Sequence, residues 1–97
     1  MNHLKISAKV LEKIGKKHNV SRQEVENCFI NRSGSLLQDT REQHLTDPPT
    51  LWFLSYTNAF RLLKIVYIQI GSDIILKSAF EPNATEISIY TKHGNAD

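Results

Sequence analysis

Three β-rich runs follow one another in the second half of the chain, and they restrict its fold more than any other feature. The runs are TLWFLSYT, FRLLKIVYIQI and DIILKSAF. Only Asn58 and Ala59 separate the first run from the second. Only Gly71 and Ser72 separate the second from the third, so both connections have the length of tight hairpins. The sequence therefore predicts an antiparallel meander between residues 50 and 80.

Shorter segments before the meander can extend the sheet. LLQDT is a candidate for a further strand, and HLKIS near the start of the chain is another short candidate. The stretch QDTREQHLTDPP then becomes a loop at the edge of the sheet. Pro48 and Pro49 restrict the backbone at the end of this loop, because each proline ring fixes its own φ angle.

Capping signals predict two helices in the first third of the chain. Ser7 can cap a first helix, and Gly15 with the run KKHN predicts the end of that helix. For the second helix, Ser21 lies three residues before Glu24, which is the spacing of a capping box.

A similar signal near the C-terminus completes the predicted architecture. Asn83 and Glu86 repeat the capping spacing after Pro82, and Ile87 and Tyr90 share one face, so a short C-terminal helix is expected. The prediction is an α+β fold. It combines a small antiparallel sheet of three or four strands with two N-terminal helices and the short C-terminal helix.

The size and composition of the chain fit one globular domain over residues 1–97. This length supports a single core but not a separate cofactor-binding domain, and no cofactor is expected. No run approaches the roughly 18 apolar residues of a membrane span, and MNHLKISAKV lacks the apolar segment of a signal peptide. We therefore expect a cytoplasmic protein without a membrane partner. Cys28 stands alone in an apolar stripe, which predicts a core residue.

Positive charge is concentrated in the first third of the chain. The net charge is +2, but residues 1–32 hold seven Lys and Arg against three acids, while residues 33–97 hold five against seven. The lysines at near-helical spacing are Lys9, Lys13, Lys16 and Lys17. Such a stripe suits phosphates or an acidic protein surface, although lysines on an exposed helix also simply solvate it.

The order of several motifs resembles the BrnT group of toxins over most of the chain. The motifs are KHNVS before a helix, Asp39-Thr40-Arg41 with His44, Phe60-Arg61-Leu62-Leu63 leading into KIVYI, and LKSAF followed by Glu86 and Tyr90. BrnT proteins belong to the RelE-like toxins, small ribonucleases of type II toxin–antitoxin pairs that a partner antitoxin holds inactive. The resemblance implies a RelE-like fold, an RNA substrate and a cognate antitoxin as partner.

Metal-independent RNA cleavage makes definite chemical demands, and several residues could meet them. The 2′-hydroxyl must lose a proton, the leaving 5′-oxygen must gain one, and cations must stabilise the transition state. His18 and His44 are the candidates for proton transfer, because an imidazole titrates near pH ~6.5. The candidates for phosphate contact are Arg41, Arg61 and Lys77. The candidates for RNA binding are Lys13, Lys16, Lys17 and, by stacking on an unpaired base, Tyr56.

The alternative is a catalytically inactive binding module on the same fold that acts through protein contacts alone. The BrnT motif I-S-A-R has an arginine where this chain has Phe80, so one cation of the expected active face is missing. The group's glycine before Arg61 is likewise Phe60. Each candidate also has an ordinary structural explanation: His18 can end its helix, and Tyr56 can pack in the core. The four histidines offer no pair at ligand spacing, so no metal site is expected.

Overall fold

The structure is a computed structural model that describes residues 1–39 and 47–94. Within these ranges the helices are α1 (Ala8–His18), α2 (Arg22–Asn31) and α3 (Ala84–His93). The strands are β1 (Leu4–Lys5), β2 (Leu37–Gln38), β3 (Thr50–Tyr56), β4 (Leu62–Ile70) and β5 (Asp73–Phe80). The predicted α+β class is therefore confirmed. None of the helices in the described ranges combines the length and the apolar character needed to cross a bilayer.

The five strands form one mixed sheet in the order β1-β5-β4-β3-β2. The meander of β3, β4 and β5 is antiparallel as predicted, and β2 pairs antiparallel with β3. The expectation of three or four antiparallel strands was wrong, because β1 adds a fifth strand and pairs parallel with β5. A strand of only two residues carries too little periodicity to reveal a partner so far along the chain.

The connection between β4 and β5 is the predicted two-residue hairpin. β4 ends at Ile70 and β5 begins at Asp73. Gly71 has a φ of 59°, and Ser72 is not among the residues with positive φ. A glycine at the first central position with positive φ is typical of a type II′ turn, whose twist matches that of the flanking strands.

The connection between β3 and β4 is longer than predicted. The N–H of Thr57 donates to the carbonyl of Arg61, and the N–H of Phe60 donates to that of Thr57, each at 2.9 Å. Phe60 has a φ of 63°, so the turn ends in a left-handed residue, as three-residue hairpin loops commonly do. The β-forming side chain of Phe60 suggested a strand, but its backbone belongs to the turn.

Rows of neighbouring residues across the meander define two faces of the sheet. The row Phe53–Ile65–Ala79 lies on the first face, and the row Leu54–Lys64–Phe80 lies on the second. The N-terminal helices cover the first face, since α1 packs on β5 and α2 packs on β3. α3 packs on the second face, opposite to them, an arrangement that the sequence did not predict.

The helix ends follow the signals in the sequence. The Ser7 hydroxyl accepts a hydrogen bond from the N–H of Val10, and both predicted capping boxes are present, at Ser21 and at Asn83. α1 continues through Gly15 and ends within the run KKHN, at His18, with Asn19 as a left-handed cap of φ 53°. A glycine inside a helix costs only about 1 kcal/mol, less than packing of a buried helix face contributes.

Tyr90 fixes α3 to the segment that follows α2. Its hydroxyl donates a hydrogen bond of 2.8 Å to the carbonyl of Ser35, and its ring lies 5.7 Å from that of Trp52. The ring passes so close to Gly34 and Gly94 that a Cβ atom at either position would overlap it. Tyr90 is thereby buried, and it determines how α3 sits on the second face.

Candidate functional site

An open groove lies on the second face, beside α3. One part has a volume of about 280 Å³ and lies between the sheet and the first turns of α3. A second part of about 580 Å³ continues between α3 and β2. Four of the described residues line both parts: Asp39, Trp52, Lys64 and Glu86. We call this continuous concavity the α3 groove.

Lys64 lies at the centre of the α3 groove, although it belongs to the central strand of the meander. Its Nζ is 2.5 Å from Oε2 of Glu86 and 4.5 Å from the centre of the Trp52 ring. The Phe80 ring lies on its other side, at 5.6 Å. Only 10% of the Lys64 side chain is exposed. The carboxylate and the two aromatic faces replace the hydration that the ammonium group has lost.

Glu86 is held in place by two different contacts. Its Oε1 accepts a hydrogen bond of 2.9 Å from the N–H of Asn83, which caps α3, while Oε2 binds Lys64. Each carboxylate oxygen can accept more than one hydrogen bond, so Glu86 can accept a further hydrogen bond from a bound molecule. The pair therefore offers a fixed carboxylate and a fixed cation at the floor of an open groove.

One predicted catalytic residue lines the α3 groove, and a second contacts a residue that lines it. Lys77 lines the part next to the sheet. Its carbonyl accepts a hydrogen bond of 3.0 Å from Nζ of Lys13, a lysine of α1. His18 does not line the groove, but its ring contacts that of the groove residue Phe80, with ring centres 5.4 Å apart. Phe80 thus contacts both His18 and Lys64.

Arg61 lines neither part of the groove. Its Nε donates to Glu81 at 2.8 Å, and its Nη1 donates to the carbonyl of Asn19 at 2.7 Å and to Glu24 at 3.1 Å. Its Nη2 donates to the carbonyl of His18 at 2.8 Å. The hydrogen bond that Arg61 donates to Glu81 is the main reason why the pKa of Arg61 is raised. With all three nitrogens engaged, the contacts of Arg61 favour a supporting role over the predicted contact with phosphate.

The structure does not bring the predicted RNA-binding residues together. Lys16 pairs with Glu12 at 3.2 Å on the exposed side of α1, and Lys17 is exposed nearby. Tyr56 belongs to β3 and lines a different cavity, of about 190 Å³, beside Tyr90 on the second face. The lysines of α1 and the ring of Tyr56 therefore lie on different sides of the sheet.

The predicted catalytic residues Arg41 and His44 lie outside the described residues. Their roles therefore stay predictions. Asp39, the last described residue before them, lines both parts of the α3 groove, and Thr50 lines the part next to the sheet. The N–H of Asp39 donates to the carbonyl of Thr50 at 2.8 Å.

Sequence reasoning missed Lys64 and Trp52 as site residues. The signal for Lys64 was present, because it is a charged residue inside the apolar run LLKIVYI of a central strand. A charge in such a position is buried only if a partner compensates it, and here Glu86 and two rings do so. Trp52 is 7% exposed and belongs to the core, while its ring also faces the ammonium group of Lys64.

Cys28 has the core position that the sequence predicted. Its side chain is fully buried, and burial raises the pKa of the thiol to about 12. In the described ranges no three His, Cys, Asp or Glu side chains are grouped so that they could hold a metal ion.

The chain matches no protein-family model and has no significant match among curated proteins.

Proposed function

We propose that the chain is the toxin of a type II toxin–antitoxin pair, a metal-independent endoribonuclease that works in the α3 groove and is held inactive by a partner protein. One observation carries the proposal: the Lys64–Glu86 pair lies at the floor of an open groove, between the rings of Trp52 and Phe80. RNA cleavage without a metal needs a proton acceptor and a cation next to one phosphate, and this pair supplies both.

The two residues divide the reaction between them. Glu86 accepts the proton of a ribose 2′-hydroxyl, whose oxygen then attacks the adjacent phosphorus and forms a 2′,3′-cyclic phosphate. The 5′-oxygen leaves and takes up a proton from a general acid, for which the candidates are His44 and His18, whose ring contacts the groove residue Phe80. Among the described residues Lys64 Nζ hydrogen-bonds only to Glu86, which leaves two of its three N–H donors for phosphate oxygens.

Other features of the groove and the chain agree with this function. Lys77 adds a second cation at the border of the groove, next to the basic stripe of α1. The order of motifs resembles that of BrnT toxins, and Glu86 and Tyr90 stand where that group carries its terminal Glu and Tyr. The cytoplasm, where RNA is present, is the compartment that this function requires.

Controlled expression in a bacterial host tests the proposal. The parent chain should stop growth and fragment cellular RNA within the induction period. Lys64→Gln removes the groove cation and should abolish both effects, whereas Lys92→Gln removes an exposed cation from α3 and should leave both effects unchanged. Matched melting temperatures would exclude misfolding. A harmless parent with intact RNA, or equal toxicity of both variants, would contradict the proposal.

The same assay tests the two predicted residues outside the described ranges. Arg41→Ala should abolish toxicity, and His44→Ala should slow cleavage by roughly 10²-fold, the scale of a lost general acid or base. Melting temperatures equal to that of the parent chain would show that neither substitution acts through misfolding. Full toxicity of both variants would restrict the reaction to the described groove residues.

A second candidate is a catalytically inactive binding module on this fold. The contacts of Arg61 favour it, because an arginine that the resemblance assigns to phosphate is fully engaged within the protein. Phe80 favours it too, since it replaces a cation of the expected active face. Intact RNA together with specific binding of a partner protein would support this candidate over the first.

A further inference from the structure

A second groove lies on the opposite face of the sheet, beyond the C-terminal end of α2. It has a volume of about 340 Å³, and the residues that line it include Met1, Ile30, Arg32, Leu36, Tyr67 and Ile74. We call it the α2 groove. Its walls are apolar and open: Ile30 is 72% exposed, Met1 42% and Leu36 37%. Large apolar side chains grouped at one exposed concavity are typical of binding sites.

The hydroxyl of Tyr67 reaches the open space of the α2 groove. Tyr67 is only 3% exposed as a whole, but it lines the groove, and its hydroxyl makes no hydrogen bond to the residues that the structure describes. Burial of the ring raises the pKa of Tyr67, so the hydroxyl keeps its proton and remains a donor at neutral pH. A donor that opens into an apolar groove can bind a ligand that brings an acceptor.

Arg32 supplies a positive charge next to this hydroxyl. It lines the same groove, and its charge opposes part of the rise in the pKa of Tyr67. Its Nη1 donates to the carbonyl of Gly34 at 2.8 Å, and no carboxylate pairs with it in the ranges 1–39 and 47–94. A phenol donor and a guanidinium that share one apolar groove are complementary to a carboxylate flanked by apolar groups.

We propose that the α2 groove binds a segment of a partner protein that presents a carboxylate between apolar side chains. The carboxylate accepts hydrogen bonds from the Tyr67 hydroxyl and the Arg32 guanidinium, and the neighbouring side chains cover Ile30 and Leu36. The inference rests on the proposed function in one respect, that the partner is the protein that holds the chain inactive.

The charge of the groove favours such a partner over a second copy of the chain. Among the described residues that line the groove, Arg32 has a positively charged side chain and none has a carboxylate side chain. Two copies joined through this groove would bring like charges together, which opposes association. An acidic and apolar segment would instead bring a negative charge to Arg32 and apolar side chains to the walls of the groove.

Selection from a displayed library of random 16-residue peptides tests the inference on the intact chain. Selected peptides should carry Asp or Glu flanked by large apolar residues. In methyl NMR spectra they should shift the signals of Ile30 and Ile74, and they should leave those of Ile87 and Ile89 on α3 unchanged. Peptides without acids, signals that move on α3 instead, or a selection that yields no binder would overturn the inference.

Two substitutions separate the polar contacts from the apolar walls. Tyr67→Phe keeps the ring and removes the hydroxyl, and Arg32→Gln removes the charge; each should weaken binding of the selected peptides about tenfold, as expected for one charge-assisted hydrogen bond. Lys92→Gln removes a charge elsewhere and should not change the affinity. Unchanged affinity in both groove variants would contradict the inference.

Two further probes test whether the α2 groove binds something other than a partner protein. Tighter binding of decanoate than of the peptides would assign the groove to a lipid. Dimerisation that Ile30→Lys abolishes would assign the groove to a second copy of the chain. Peptide binding with intact RNA would remove the proposed function and keep this groove as a docking site. RNA cleavage without any peptide binding would keep the proposed function and overturn the α2 groove as a docking site.

Discussion

Arg61 and Glu24 lie 37 residues apart in the chain and form a hydrogen-bonded ion pair, with Nη1 3.1 Å from Oε2. The same carboxylate closes the capping box of α2, because Oε1 of Glu24 accepts the N–H of Ser21. Glu86 repeats this arrangement on the other face, where it caps α3 and binds Lys64. Each capping-box glutamate thus joins the start of a helix to a cation at or beside β4.

Removal of Arg61 should destabilise the fold strongly. Arg61→Ala leaves Glu24 without its cation and leaves the carbonyls of His18 and Asn19 at the end of α1 without a donor. Its side chain is only 23% exposed, so water does not fully replace these contacts. We expect a loss of about 2–3 kcal/mol, the scale of hydrogen bonds to charged groups. Urea denaturation followed by circular dichroism measures it.

An exposed ion pair provides the control for this substitution. Lys16 pairs with Glu12, four residues away on α1, at 3.2 Å, and the two side chains are 78% and 67% exposed. Lys16→Ala should therefore cost only about 0.5 kcal/mol. Equal losses for Lys16→Ala and Arg61→Ala would mean that the guanidinium network at Arg61 does not hold the helices to the sheet.

The capping box of α2 should contribute measurably to stability. Ser21→Ala removes the hydroxyl that accepts the N–H of Glu24, and we expect a loss of about 1 kcal/mol. Ser88, which is exposed within α3, gives the control, because Ser88→Ala removes a hydroxyl without removing a cap. If both variants melt at the temperature of the parent chain, the capping box does not form in solution.

The elements that local chemistry determines were predictable from the sequence. The caps at Ser7, Ser21 and Asn83 depend on a few neighbouring residues, and the structure has all three. The meander and the Gly71 hairpin follow from alternation and turn residues in the same way. Periodicity and capping are short-range properties, so a single sequence displays them.

The features set by distant contacts were not predictable. β1 pairs with β5, far along the chain. α3 is positioned by Tyr90, whose ring fits against Gly34 only because that residue has no side chain. The candidate site was hidden for the same reason, because Lys64 and Glu86 meet only after β4 and α3 pack together. The predicted site residues came mainly from motifs, and motifs did not show that Arg61 is engaged within the fold.

Phe60 should be a position where a smaller residue increases stability. It is 85% exposed and has a φ of 63°, a region that costs a residue with a Cβ atom roughly 1–2 kcal/mol. Phe60→Gly should raise the free energy of unfolding by about 1 kcal/mol. Ala59→Gly, one residue earlier, relieves no such strain and should lower stability slightly. A Phe60→Gly variant no more stable than the parent would mean that the ring gains compensating contacts.

Alkaline pH should destabilise the chain through its buried thiol. Burial raises the pKa of Cys28 from 9.0 to about 12, so between these values the unfolded chain loses the thiol proton while the folded chain keeps it. The unfolded state then binds fewer protons, and stability falls as pH rises, by up to about 1.4 kcal/mol per pH unit. Burial also raises the pKa values of Tyr67 and Tyr90, which act in the same direction.

Cys28→Ala separates the thiol from the tyrosines. The variant is less stable at pH 8, because it leaves a small cavity in the core, but it should lose less stability than the parent chain between pH 9 and 10.5. Urea denaturation at a series of pH values gives both slopes. Parallel slopes for parent and variant would show that Cys28 does not keep its proton in the folded state.

Cleavage of a defined RNA by the purified chain tests the central claim most directly. A 5′-labelled, single-stranded RNA is incubated with excess protein in EDTA, and the rate is compared for the parent and for Glu86→Gln, which keeps the side-chain shape. We predict cleavage that leaves a 2′,3′-cyclic phosphate, no cleavage of the 2′-deoxy substrate, and a rate roughly 10²-fold lower for Glu86→Gln. An uncleaved RNA, or an equal rate for the folded Glu86→Gln variant, would contradict the assignment of the α3 groove as the catalytic site.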